Sequence, residues 1–345
     1  MSARTKKYSL EDFKHLTKGQ LDLLKTNQVK TISALAACSE AFISGLLEVK
    51  NTTAQKILHE ARTNIPDCEF TTAEQLVRGY EDKAYLSTGC KDLDNLLGGK
   101  GFESSATTLL SGAYGSGKSQ ICLTAAVRGQ LSEEKKGLNG SIVFIDVEQT
   151  LRPERVREIS TSLGVDPAAI LKNIRVLRPK DTTEQILAVK KLIEPGVPLE
   201  AILGPLDKPP RVLIIDSITA KFRTQYIGRG TLAERQQKLN EHLADCHEFA
   251  LKYNAVVLFT NHVIGNPDPF SGVAYSPAGG HVLGHAATYN LMLKKLRYKR
   301  VADLIDSAHL PCGQAFYQIA AKGVCDIDDE ENQTFEGPEA SLRLD

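Results

Sequence analysis

The chain has 345 residues, with 42 basic and 42 acidic side chains, so its formal net charge is zero and any nucleic-acid surface must be local. With 24% charged and 42% apolar residues it is ordinary for a soluble globular protein, long enough for two domains. Seven scattered cysteines without a C-x-x-C pair argue against a disulfide framework or a zinc site, and for reduced thiols. No apolar run approaches a membrane span, and Arg4, Lys6 and Lys7 are followed by no apolar stretch of a secretory signal.

Residues 10–64 carry apolar side chains at helical spacing, among them Leu21, Leu24, Ile32, Leu35, Leu46, Leu47, Ile57, Leu58 and Ala61. They predict a small all-helical domain over 1–65. Pro66 and Asp67 break the pattern, and Phe70-Thr71-Thr72-Ala73 falls in a linker over 66–85. From residue 86 apolar strands alternate with amphipathic helices, predicting an α/β unit over 86–345. Ala106–Ser111 is β-prone, and Ser141–Asp146, Arg211–Asp216 and Ala255–Thr260 read as further strands. Thr231–Tyr253 is long and polar-periodic, hence a helix. This alternation implies a mainly parallel sheet covered on both faces, with ligands at the carboxyl ends of its strands. Pro195–Pro210 reads as an exposed loop and Asp326–Asp345 as a loose polar tail.

The most informative segment is Gly112-Ala113-Tyr114-Gly115-Ser116-Gly117-Lys118-Ser119. It is a complete G-x-x-x-x-G-K-[ST] phosphate loop between a strand and a helix that opens with Gln120 and Ile121. Its glycines let successive N–H groups face phosphate oxygens. Lys118 would reach the β- and γ-phosphates of ATP, and the Ser119 hydroxyl would ligate Mg²⁺. Two other strands end in acids. Asp216 closes four apolar residues and would hold a Mg²⁺-bound water. Asp146-Val147-Glu148 offers a carboxylate to activate the water that attacks the γ-phosphate, but spacing does not say which acid acts. Asn261-His262 ends the third strand. His262 could sense the γ-phosphate or serve as a satisfied structural histidine.

At this point the sequence resembles the RadA-type recombinases of the RecA superfamily, which form filaments on single-stranded DNA and exchange homologous strands. Phe70-Thr71-Thr72-Ala73-Glu74 resembles their protomer-docking linker, and Leu86 to Gly99 the lead-in to their core. Leu151-Arg152-Pro153-Glu154-Arg155 resembles the stretch after their catalytic glutamate. Tyr226-Ile227-Gly228-Arg229-Gly230-Thr231 to Leu239 is similar to their first DNA loop and the helix after it. Gly279-Gly280-His281 to His285-Ala286 resembles the end of the second DNA loop, and Asp306 to Pro311 the cap that closes on a neighbour's ATP.

The resemblance implies a RecA-like phosphate-loop ATPase core with a mainly parallel sheet, preceded by a small all-α, helix-hairpin-helix-like domain that helps bind duplex DNA. It makes Glu148, not Asp146, the base, and stacks Arg155 on adenine. It gives DNA contacts to Arg223, Arg229 and Arg235 and, in a second loop over about 263–280, to Gly272, Val273, Gly279 and Gly280. Phe70 and Ala73 would fill pockets on the adjacent subunit, and Asp306 and Pro311 would touch nucleotide across that interface. The implied activity is ATP- and Mg²⁺-dependent pairing and strand exchange on single- and double-stranded DNA by a homo-oligomeric filament or ring. The implied setting is the prokaryotic cytoplasm or a eukaryotic nucleus, with no membrane partner. The run Lys294, Lys295, Arg297, Lys299 and Arg300 reads first as a solvated hairpin, with DNA contact as the alternative.

The chain departs from that pattern where Ala113 replaces the usual Glu, Gln149 a Gly, Leu151 a Phe, His262 a Gln, and Ala308 and Cys312 a Pro and an acid. Asn51-Thr52-Thr53 and Lys18-Gly19-Gln20 stand where Gly-rich hairpins are usual. These departures motivate an alternative. It is a paralogue that binds single-stranded DNA or the recombinase and regulates it without exchanging strands.

Overall fold

The structure is a computed structural model. It describes residues 9–27, 29, 31–64, 72–74, 83–194, 197–265, 275–277, 281–297 and 299–327. The chain divides into two units, Met1–Tyr80 and Glu81–Asp345.

The first unit is helical among its described residues: α1 (Lys18–Thr26), α2 (Ile32–Ala36), α3 (Glu40–Leu47) and α4 (Asn51–Thr63). Hydroxyl side chains set three of the starts. Thr17 accepts the Gln20 N–H, Thr31 the Ala34 N–H and Ser39 the Phe42 N–H. Leu24, Leu35, Ile43, Ile57 and Leu58 are fully buried together. Each contributes roughly 1.5–3 kcal/mol, which lets helices this short hold.

The second unit opens with a small ladder, β1 (Tyr85–Leu86) against β2 (Phe102–Glu103), around helix α5 (Lys91–Leu96). Then come β3 (Ala106–Gly112), α6 (Lys118–Arg128), β4 (Ser141–Asp146), α7 (Pro153–Ser162), α8 (Pro167–Lys172), β5 (Ile174–Leu177) and α9 (Thr182–Ile193). α10 (Leu199–Leu203), β6 (Pro210–Asp216), α11 (Ala220–Gln225), α12 (Leu232–Tyr253), β7 (Val256–Gly265), β8 (Tyr275–Pro277) and α13 (His281–Ala286) follow. The last elements are β9 (Tyr289–Leu296), β10 (Lys299–Ser307), β11 (Gly313–Ala320) and β12 (Gly323–Cys325). The main sheet has the order β12-β11-β10-β9-β3-β7-β6-β4-β5, with β8 beside β7. From β9 to β5 every neighbour is parallel, and from β9 to β12 every neighbour is antiparallel.

Side chains alternate across this sheet. Leu110, Ile142, Phe144, Ile214 and Leu258 join α6 and α7 on one face. Leu109, Val143, Ile145, Leu213, Val257 and Phe259 join α9 and α12 on the other. That two-sided burial is why the strands read as unbroken apolar runs. α12 buries Leu239, His242, Leu243, Cys246, Phe249 and Ala250, a helical stripe.

Two expectations change. The stretch read as a loop from Pro195 to Pro210 contains α10 after Pro198, because Leu-Glu-Ala-Ile-Leu are good helix formers between proline and glycine punctuation. β7 runs to Gly265, past the expected end at Thr260, because Val263, Ile264 and Gly265 pair with β8. Among the described residues no helix is long and apolar enough to cross a membrane.

Candidate nucleotide site and its surroundings

The carboxyl ends of the parallel strands line up. Gly112 on β3 is in register with His262 on β7, and Asp146 on β4 with Asp216 on β6. The phosphate loop leaves β3 here. Its shape depends on glycine at two close approaches. A Cβ at Gly112 would stand 2.5 Å from both the Leu293 carbonyl oxygen and Ser116 Oγ. Gly117 has φ +106° and a Cβ there would meet Arg300 Cδ at 3.0 Å and Tyr317 Oη at 3.2 Å. Tyr317 also donates to the Ser116 carbonyl at 3.2 Å, so β9, β10 and β11 brace the loop. Burial pushes the Tyr317 phenol up, which keeps it a donor. Ala113 and Gly115 are exposed, Ser116 is buried, and Tyr114 is 98% exposed.

Lys118 opens α6. Its amino group donates to the carbonyls of Gly112 at 2.8 Å and Ala113 at 3.0 Å. Burial lowers its pKa, opposed by the charges of Asp216 and Glu148. Ser119 Oγ donates to Asp216 Oδ2 at 2.6 Å, and Thr150 Oγ1 donates to the same oxygen at 2.8 Å. Thr260 donates to Asp216 Oδ1. Ser119 and Asp216 fit Mg²⁺. A hydroxyl and a single carboxylate are what that ion takes from a protein when phosphates and water supply the rest.

The two acids left open by spacing have different surroundings. Asp146 is fully buried and accepts the N–H groups of Thr150 at 2.8 Å and Leu151 at 3.3 Å. Its other oxygen pairs with Arg178 Nε at 3.0 Å. One Asp146 oxygen is thus taken by the turn and the other by Arg178. Glu148 is partly exposed, and its Oε1 faces His262 Nε2 at 2.7 Å and accepts from Ser217 Oγ at 3.0 Å. The hydrogen bond from His262 lowers the Glu148 pKa most, against the effect of burial. Val147 and Glu148 both give their N–H to the Asp216 carbonyl, which fixes the start of this turn on β6.

Arg155, on α7, donates to Gln120 Oε1 at 2.9 Å, to Glu158 Oε2 at 2.6 Å and to the Ala320 carbonyl at 2.6 Å. Its Nε, Nη1 and Nη2 atoms all donate within the chain. Asp306 and Pro311 are exposed on β10 and in the turn after it. Gly112 is level with Leu293, which is level with Ala302. Asp306 therefore lies four residues further, toward the other end of the sheet, away from this chain's own phosphate loop. Arg223 is exposed at the end of α11, and Arg235 is half-buried on α12. Arg229 opens a short 3₁₀ turn, Arg229–Thr231, between those helices. Beside it Ile227 is 77% exposed. Gln225 anchors the root of this loop to α9 by accepting the Thr182 N–H at 2.8 Å. Ala73 is exposed, while Phe70, Gly272, Val273, Gly279 and Gly280 lie outside the described residues.

Sequence reading missed Thr150, Ser217 and Thr260, whose only signal was a hydroxyl beside a strand end. It also read the whole basic run as a solvated hairpin. Lys294 does reach Asp303 at 2.8 Å, but Arg300 lies against Gly117. The Arg300 Nε is buried with no hydrogen-bond partner among the described residues. A cavity of about 610 Å³ lies between β5 and α9, with Val143, Ile145, Leu177, Leu187, Ala188 and Leu192 in its wall.

A phosphate loop at the carboxyl edge of a parallel sheet, with a strand-end Asp on the loop's Ser, defines a phosphate-loop nucleotide-binding protein. A family model for Rad51 matches residues 81–327, and the chain belongs to the Rad51 family. Membership places it among RecA-like proteins of DNA recombination and repair, which bind ATP and DNA.

Proposed function

We propose that this protein is an ATP-dependent strand-exchange recombinase that works as a filament on single-stranded DNA. The observation that carries the reading is that β6 ends in Asp216, beside Ser119, and its continuation leads through α11 into the loop of Arg229. A change at the γ-phosphate edge therefore has a short covalent path to a basic loop. Lys118 binds the β- and γ-phosphates; Ser119 would hold Mg²⁺ directly and Asp216 through a bound water, and the ion would neutralise phosphate charge. Glu148 orients and deprotonates the attacking water. The face of Arg155 stacks on adenine. Arg223, Arg229 and Arg235 pair with DNA phosphates or stack on bases, with the second loop around Gly272, Val273, Gly279 and Gly280.

Filament formation draws on both ends of the core. Phe70 and Ala73 of one protomer would dock in the cavity between β5 and α9 of the next. Asp306 and Pro311 would close on the neighbour's nucleotide, which suits their distance from the phosphate loop of their own chain. Nucleotide state then controls assembly. Single-stranded-DNA-stimulated ATP hydrolysis tests the reading. Arg229→Ala should lose the stimulation while keeping ATP affinity, and undiminished stimulation would contradict it. Electron microscopy of Phe70→Glu should show filaments broken into short pieces. A regulatory paralogue is the second reading, favoured by His262 at the strand end. It expects DNA binding without homologous pairing.

A further inference from the structure

We infer that His262 is a positioning residue for Glu148, and that it does not read the γ-phosphate. The inference rests on the reading of Glu148 as the base. In the hydrolytic step the water oxygen bonds to the γ-phosphorus. The bond to the bridging oxygen breaks, its electron pair leaves with ADP, and the water's proton passes to Glu148. That transfer needs a carboxylate with one oxygen fixed and the other open to water.

The geometry around Glu148 meets this need. His262 Nε2 stands 2.7 Å and Ser217 Oγ 3.0 Å from the same atom, Oε1. Oε2 accepts no hydrogen bond among the described residues. The holders come from separate strand ends: β4 brings Glu148, β6 brings Ser217 next to Asp216, and β7 brings His262. The backbone N–H of Glu148 is tied to the Asp216 carbonyl at 3.1 Å, so the carboxylate is held at both ends of its side chain.

Donor counting for the neutral ring argues against a second job. A neutral imidazole has one N–H. With that proton on Nε2 and given to Glu148, Nδ1 is an acceptor and cannot donate to a phosphate oxygen. A glutamine amide has two N–H groups and can bind a carboxylate and a phosphate together. In this chain the one N–H of a neutral His262 is committed to the base.

Steady-state ATP hydrolysis by the full-length protein with single-stranded DNA, and binding of fluorescent ATP and ADP analogues, test the inference. His262→Ala should lower kcat by roughly tenfold or more, with KM and the ATP-to-ADP affinity ratio unchanged. His262→Gln, which keeps a donor, should recover most of that loss. In a Glu148→Gln background His262→Ala should have no further effect, because the two act as one unit. Ser217→Ala, which removes the other donor to Oε1, should lower kcat in the same way, and it serves if His262→Ala does not fold. A selective loss of ATP over ADP binding in His262→Ala would overturn the inference, as would additive losses. Glu148→Gln inactive beside a fully active His262→Ala would overturn this inference alone. Glu148→Gln with wild-type turnover would overturn the underlying reading of the base as well.

Discussion

The two halves of the main sheet do different work. The parallel half, β3, β7, β6, β4 and β5, brings to one edge Lys118, Glu148, Asp216 and His262, the groups proposed to carry the chemistry. None of the groups proposed to react there comes from the described residues of the antiparallel half. That half supports the phosphate loop through Leu293, Arg300 and Tyr317, and turns Asp306 and Pro311 away from it. The contrast shows that a phosphate loop needs a backing as well as a motif. Here that backing comes from residues about 180 to 200 positions downstream of the loop.

Substitutions can break this division, and the largest effect should come from the parallel half. Lys118→Ala should reduce ATP affinity or turnover more than ~100-fold in a binding and hydrolysis assay. Its buried ammonium contacts only loop carbonyls among the described residues. Gly117→Ala tests the junction of the halves. It imposes a strained φ of +106° and a clash with Arg300 and Tyr317. It should cost about 1–3 kcal/mol in chemical denaturation and weaken ATP binding with it.

A third prediction concerns the buried face of α12. His242 is fully buried against Phe222, with Nε2 3.3 Å from Gln185 Nε2. Burial, with a smaller part from Lys190, drops its pKa from 6.5 to about 3. The folded chain keeps it neutral, while the unfolded chain takes up a proton below 6.5. Its contribution is therefore complete above that pH and shrinks as pH falls toward 3, by at most about 1.4 kcal/mol per pH unit. Denaturation curves between pH 7 and pH 4 should show this slope, and His242→Leu should flatten it. The smallest effect is expected from Tyr317→Phe. It removes one hydrogen bond to the Ser116 carbonyl and should cost about 0.5–1.5 kcal/mol. A comparable loss of ATP affinity would show that the antiparallel half tunes the loop, while loss of stability alone would confine it to support.

Legibility in the sequence follows the same line. The phosphate loop, the three strands and the long helix could be read because fixed spacing and continuous apolar runs leave few other folds. The choice between Asp146 and Glu148 could not be read from spacing. It depends on where the turn after β4 points its N–H groups, and those point at Asp146. Thr150, Ser217 and Thr260 were hidden because a hydroxyl acquires its role from strand register, which a single sequence does not print. Arg300 was hidden inside a run of like charges whose other members have different neighbours. α10 was masked by the prolines on both sides of it.

The proposed function requires the nucleotide edge to drive homologous pairing. The most direct measurement is joint-molecule formation between labelled single-stranded DNA and homologous duplex, with ATP·Mg²⁺ and without nucleotide. ATP-dependent pairing by the wild-type protein, lost in Lys118→Ala, is the predicted result. No pairing, despite ATP-stimulated binding of single-stranded DNA, would contradict it and assign the chain to a regulatory role.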